Sequence, residues 1–251
     1  LHDVERTSGL RQALRRMMTI WSAGSIASSS EAREVFIHFG ALPERVLISL
    51  MPIDVERFHA GAQSWRDSDW FQTERRRYPG PILLSVGRLT ERKGYRELFA
   101  IYAAILKRRP DVALFIVGDG PERAEHEAYV QAQRWTNVQF FGFQQVRELI
   151  KFLALADVFV FHTLFDPFGA VLCEAMAAEL PVVSSIHAAA TKDLVDDGLT
   201  GFRIDPRSVE GSADRVLQVL AMTSAERHAL GRAAYDRVRR HDIDTTADHM
   251  V

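Results

Sequence analysis

From Pro81 onward the chain repeats one unit: a short apolar run, then a longer amphipathic stretch, at a spacing of about 25 residues. The runs are Ile82-Leu83-Leu84-Ser85-Val86, Val112-Ala113-Leu114-Phe115-Ile116-Val117, Val138-Gln139-Phe140-Phe141, Val158-Phe159-Val160-Phe161 and Pro181-Val182-Val183-Ser184. Each is rich in β-branched or aromatic residues and apolar at both alternating positions, the pattern of a parallel strand covered on both faces. Between them, Gly94 to Lys107 places Leu98, Ile101, Tyr102 and Ile105 on one helical face and ends before Pro110. Gln145 to Ala156 and Phe168 to Leu180 repeat the theme. Strand, helix, strand in this order predicts right-handed βαβ crossovers and a doubly wound, Rossmann-like α/β sheet.

Residues 1–50 resemble a smaller share of a second such unit. Helices are expected over Ser8 to Trp21 and Ser30 to Phe39, and strands over Gly24 to Ser28 and Val46 to Leu50. Residues 51–80 are expected to form a connection, polar and turn-rich from residue 58. The main domain then runs over 81–241. It closes with a helix from Ser224 to Arg239, and 242–251 starts a further helix at Ile243. A chain that opens on Leu1 and stops inside a helix is expected to be a piece of a longer protein.

Lys plus Arg is 31 and Asp plus Glu 33, a net charge of −2, which argues against a nucleic-acid binder. No apolar run reaches the roughly 20 residues that span a bilayer, and no secretory signal opens the chain. A single cysteine, Cys173, excludes an internal disulfide and a multi-cysteine zinc site, and is expected to be inert packing. A cytoplasmic location follows as the expectation. The segment Arg11, Arg15, Arg16, Met17, Met18, Ile20, Trp21 joins arginines to large apolar groups. It suits either a core-packed helix with a solvated basic face or a peripheral membrane contact.

In an open parallel sheet, ligands bind beyond the carboxyl ends of the strands. After the first strand comes Gly87-Arg88-Leu89-Thr90-Glu91-Arg92-Lys93-Gly94. Gly87 permits a tight turn, and Arg88 and Lys93 at the sheet's mouth suit a diphosphate, although a solvated loop has the same composition. Gly118-Asp119-Gly120-Pro121 after the second strand is expected to be a plain turn. After the fourth, Phe168-Gly169 is expected to open a helix whose free N–H groups face the crevice, as an anionic phosphate requires. Glu174 follows on that helix. The neighbours Val171, Leu172, Cys173, Ala175 and Met176 make the helix apolar nearly all round, and a buried lone carboxylate needs a partner or ligand. Asp166, in front of the helix, can hold a sugar hydroxyl or act as a turn acid.

The order Gly-Arg-Leu-x-x-x-Lys-Gly, Val-Gly-Asp-Gly-Pro, Val-x-Phe-x-Gly, Ala-Asp-Val, acid-x7-Glu-Ala-Met-Ala and Pro-Val-Val resembles the donor domain of glycosyltransferase family 4, retaining enzymes of the GT-B fold. The similarity runs from about Ala27 to Val251. It implies that Arg88 and Lys93 neutralise a donor diphosphate, and that the helix-start amides at Gly169, Ala170 and Val171, next to Phe168 in the same site, hold its phosphates. It implies further that Glu174 holds the ribose and Asp166 contacts the transferred sugar. Gly87, Gly142, Phe143 and Gln144 line the nucleotide, the last three against the base. His2 resembles a histidine that faces the sugar from the acceptor-side domain, of which residues 1–50 would be a remnant. The donor implied is a UDP- or GDP-linked sugar and the acceptor a glycan, a lipid-linked molecule or a small molecule, with no cofactor and no metal. Two departures stand out. The acid at 166 is Asp where the family usually has Glu, and Ser185-Ile186-His187-Ala188 replaces a Gly-Gly turn. Competing readings are a nucleotide-sugar-binding module without turnover and an unrelated dinucleotide-binding domain. The latter fails for lack of Gly-x-Gly-x-x-Gly after the first strand.

Overall fold

The computed structural model describes residues 9–241. The chain opens with α1 (Gly9–Trp21), β1 (Ser25–Ala27), α2 (Ser30–His38) and β2 (Val46–Ile48), then α3 (Val55–Arg66) and α4 (Asp69–Arg77). The main domain follows: β3 (Ile82–Val86), α5 (Tyr95–Leu106), β4 (Ala113–Val117), α6 (Arg123–Ala132), β5 (Val138–Gly142), α7 (Val146–Leu155) and β6 (Val158–Phe161). It ends with α8 (Ala170–Ala177), β7 (Val182–Ser185), α9 (Ala189–Leu194), β8 (Phe202–Ile204), α10 (Val209–Ala221) and α11 (Ser224–Val238).

β3 to β8 form one parallel six-stranded sheet in the order β5-β4-β3-β6-β7-β8. That is the doubly wound order expected from the alternating pattern, and its switch point lies between β3 and β6. Alternation along each strand divides the core into two layers. Leu84, Phe115, Phe159 and Phe161 point into one; Leu83, Leu114, Ile116, Val158 and Val160 point into the other. Five strands stand where the apolar runs predicted them. β8, α9 and α10 were not anticipated.

The expected turn-rich connection over 58–80 folds instead as α3 and α4. Val55, Phe58 and Ala62 fall at helical spacing and are buried, so the polar residues between them are one face of a helix rather than loop. Asp54 and Ser68 cap the two helices by accepting from the Arg57 and Phe71 amides. α3 packs on α7 and α8, within the core of the main domain.

β1 and β2 pair in parallel, Ser25 opposite Val46, as a partial second Rossmann-like unit. It abuts α9 through Ser30 N donating to Asp193 (3.0 Å) and Lys192 donating to Glu31 (3.0 Å). α1 corrects the expectation of a core-packed helix. No residue of it is buried, and Leu10, Met18 and Trp21 are 74%, 70% and 82% exposed. Arg15 lies over the ring of Phe39, the residue after α2, while the large apolar side chains of α1 are exposed. His2 and the helix expected from Ile243 lie outside the described residues.

Candidate active site

The carboxyl ends of β3 and β6 adjoin at the switch point, and their two loops are stitched together there. The carbonyl of Arg92 accepts from the amides of Leu164 (3.0 Å) and Phe165 (3.3 Å) and from the Thr163 hydroxyl (3.3 Å). Glu91–Lys93 makes one 3₁₀ turn that ends at Gly94 in the left-handed region, φ +72°. A Cβ there would sit 2.6 Å from the His162 carbonyl oxygen, so the close approach of the two loops requires glycine.

This stitching sets Lys93 against Asp166. Lys93 Nζ donates to one carboxylate oxygen of Asp166, and the two side chains are only 15% and 13% exposed. The other oxygen of Asp166 accepts from the Phe168 amide at 3.1 Å, so this residue is a turn acid and a cation's partner at once. Phe168 departs from its expected part. Its amide is spent on Asp166 and its ring is buried, so it shapes the turn and offers the cleft nothing. The helix opens one residue later, at Gly169, whose φ is +106° and where a Cβ would lie 2.8 Å from the Phe161 ring. The amides of Gly169, Ala170 and Val171 have no hydrogen-bond partner among the described residues, leaving three donors and the positive end of α8 at the cleft.

Arg88 is exposed and makes no hydrogen bond or ion pair among the described residues. Its loop is nevertheless fixed. Gly87 N donates to Val117 O (3.0 Å), Leu89 N donates to Asp119 O (2.9 Å), and Leu89 is wholly buried. The turn after β4 explains its own glycines. A Cβ at Gly118 or Gly120 would lie 1.9 Å from Gly87 O or 2.2 Å from Leu89 O. They are there so that this turn can pack under the Arg88 loop, in keeping with a plain turn.

Glu174 points from α8 and has no hydrogen-bond or ion-pair partner among the described residues. Burial pushes its pKa up to about 7. Next to it, burial and the nearness of Glu174 push the Cys173 thiol up to about 12, which leaves it an unreactive packing group. At the other side of the cleft, Gly118 N donates to Gly142 O (2.8 Å), aligning the turns after β4 and β5. Gly142 is left-handed at φ +70°, Phe143 is 70% exposed, and the Gln144 side-chain amide donates to Phe141 O (2.7 Å). Gln144 therefore braces the turn, while Phe143 offers a free aromatic face.

The Ser185–Ala188 segment, which replaces the expected glycine turn, is built on side chains. Ser185 Oγ donates to Thr163 O (2.6 Å) and accepts from His187 N (3.1 Å). Asp166 N donates to His187 O, pairing Asp166 with Ala188. Sequence reasoning missed Ser85 and His162. The signal was present: one serine in an otherwise apolar strand, and a histidine where the neighbouring strand ends. Among the described residues no group of three or more His, Cys, Asp or Glu side chains is placed to hold a metal ion.

The model of the family glycosyl transferases group 1 matches residues 67–237, well over half of the chain. The chain belongs to that family. Among its curated relatives, the lipopolysaccharide core biosynthesis glycosyltransferase LpsE of Rhizobium meliloti is 34% identical over 145 residues, 57% of this chain and 41% of LpsE. The glycogen synthase of Mycobacterium tuberculosis is 34% identical over 177 residues, 67% of this chain and 41% of the synthase. The chain thus spans about two-fifths of the length of these relatives. Among solved structures, HepE of Anabaena in complex with UDP superposes with a TM-score of 0.81 at 21% identity, covering 98% of this chain and 67% of HepE. Sucrose-phosphate synthase of Thermosynechococcus elongatus gives 0.78 at 23%, covering 98% and 61%. These likenesses show the GT-B type of fold, and the family match covers the sheet, both loops and α8.

Proposed function

We propose that this chain carries the donor site of a retaining, family 4 glycosyltransferase that moves a sugar from a nucleotide diphosphate sugar to an acceptor hydroxyl. The observation that carries this is the junction of Lys93, Asp166 and the unpartnered amides of Gly169, Ala170 and Val171 at the switch point between β3 and β6. Arg88, Lys93 and the α8 terminus place positive charge where a departing diphosphate gathers negative charge. As the bond from the anomeric carbon to the diphosphate breaks, one to the acceptor oxygen forms, and the acceptor's proton leaves with the diphosphate. Asp166 holds the sugar and Glu174 the ribose. The Gly142–Gln144 turn lies against the base, with the face of Phe143 available for stacking. The cations supply the charge a metal would otherwise bring, so the site works without one. Solved neighbours of the same fold are described in complex with UDP and with UDP-glucose, which supports a UDP-linked donor; a GDP-linked donor suits the same phosphate site.

The acceptor is a glycan, a lipid-linked molecule or a small molecule. A peripheral membrane contact through α1 fits its outward apolar face and its arginines at 11, 15 and 16. A second reading is donor binding without turnover. A thermal-shift screen with UDP-, GDP- and ADP-sugars, followed by a transfer assay, separates the two. Donor binding with transfer supports the enzyme, and binding without transfer supports the module. No stabilisation by any nucleotide removes both.

A further inference from the structure

His162 directly follows β6 and is 3% exposed, yet both of its ring nitrogens are engaged. Nδ1 lies 2.9 Å from Gly94 O, and Nε2 lies 2.7 Å from the Ser85 hydroxyl on β3. Burial, assisted by the positive charge of Lys93, lowers its pKa to about 4, so the ring is neutral near pH 7. A neutral imidazole has one N–H and one bare nitrogen. A carbonyl oxygen only accepts, so Nδ1 carries the hydrogen and Nε2 accepts from Ser85. The geometry leaves a single tautomer. The titratable and charged groups around the ring are Tyr95, edge-on at 4.7 Å between centroids, and Lys93. Tyr95 in turn donates to Gly87 O at 3.1 Å.

The two ends of the cationic loop are therefore tied by buried side chains: Gly87 by Tyr95 and Gly94 by His162. Arg88 and Lys93 lie between those ties. We infer that His162 is a positioning residue of the donor-diphosphate site, its Nδ1–H holding Gly94 O so that the left-handed turn aims Lys93 at Asp166 and at the phosphates. This rests on the donor-site reading above. The base-side turn after β5 is built on other bonds and does not depend on His162. Loss of the tie thus weakens the hold on phosphate selectively.

The test compares nucleoside diphosphate with monophosphate by isothermal titration on the full chain, using whichever of uridine, guanosine or adenosine the wild type binds most tightly. In His162→Leu, diphosphate affinity is expected to fall about five- to ten-fold, the loss of one well-placed hydrogen bond, while monophosphate affinity changes less than about two-fold. His162→Asn, which keeps an N–H near the Nδ1 position, is expected to recover most of the diphosphate preference. A ratio unchanged in His162→Leu, or an asparagine variant no better than leucine, overturns the inference. Where the leucine variant does not fold, ¹⁵N spectra of the wild-type imidazole decide. An Nδ1–H ring that does not titrate between pH 6 and 8 upholds the tie, and an Nε2–H or titrating ring refutes it. Equal wild-type affinity for diphosphate and monophosphate removes the phosphate site itself, and this inference with it.

Discussion

Lys93 and Asp166, 73 positions apart in sequence, form a largely buried ion pair across the switch point of the sheet. Each therefore holds the other in place before any ligand arrives, one on the loop after β3 and one on the loop after β6. On the proposed reading, a donor phosphate would meet Lys93 already oriented. The same pairing makes the two residues energetically inseparable.

Lys93→Ala is expected to lower both stability and nucleoside diphosphate affinity. Leaving the Asp166 carboxylate without its cation costs about 1–3 kcal/mol. Adding Asp166→Asn to that variant is expected to restore part of the melting temperature and none of the affinity. Calorimetric melting together with titration checks this; a double variant that regains affinity contradicts a phosphate role for Lys93.

Glu174 sets a pH dependence of two parts. Its folded pKa, raised to about 7 by burial, lies above its usual value of 4.5. Its contribution to stability is therefore complete below about pH 4.5 and is lost as pH rises through 7. Glu174→Gln removes that loss, so the variant is expected to be more stable than the wild type at pH 8, by up to about 3 kcal/mol, with the difference gone near pH 5. If ribose hydroxyls donate to the carboxylate, wild-type nucleotide affinity rises between pH 6 and 8, and that of the glutamine variant stays flat. Parallel pH profiles of affinity in the two proteins count against the ribose assignment.

Gly169→Ala is expected to cost about 1–3 kcal/mol, because φ is +106° there and the new methyl meets Phe161 at 2.8 Å. Because this residue aims the first turn of α8, diphosphate affinity is expected to fall as well. A variant as stable as the wild type contradicts the described turn; chemical denaturation measures it.

Chelation by EDTA is expected to leave nucleotide binding unchanged, since in the proposed site two cations and a helix terminus would face the phosphates. Titration with and without EDTA, and with added Mg²⁺ or Mn²⁺, checks it. A strict requirement for either ion contradicts the account.

The sheet was legible because its strands are covered on both faces, so each is an unbroken apolar run such as Val158–Phe161 that no helix or loop resembles. α3 was not legible. Its buried face is only Val55, Phe58 and Ala62, and the glutamate, arginine, histidine and glycine between them have the composition of a connection. At the site, residue types were visible and their bonds were not. Arg88, Lys93 and Asp166 stand in the loops after strands and Glu174 in an otherwise apolar helix, where charge is conspicuous, whereas the pairing of Lys93 with Asp166 depends on which strands are neighbours. The part of Phe168 was misjudged because the left-handed Gly169 delays the helix by one residue. His162 went unassigned because a histidine after a strand gains its meaning only from its position opposite Ser85 and Gly94.

Arg88→Ala offers the most direct test of the central claim, because the side chain is exposed and bonded to nothing else among the described residues. Its removal is expected to leave the melting temperature unchanged within the effect of an ordinary surface substitution, about 0.5 kcal/mol. Isothermal titration with UDP, GDP and ADP is expected to show at least one of them binding the wild type and binding the variant about ten-fold or more weakly, as loss of a charge-assisted bond requires. Equal affinity of the two proteins for every nucleoside diphosphate would contradict a donor-phosphate site at the switch point.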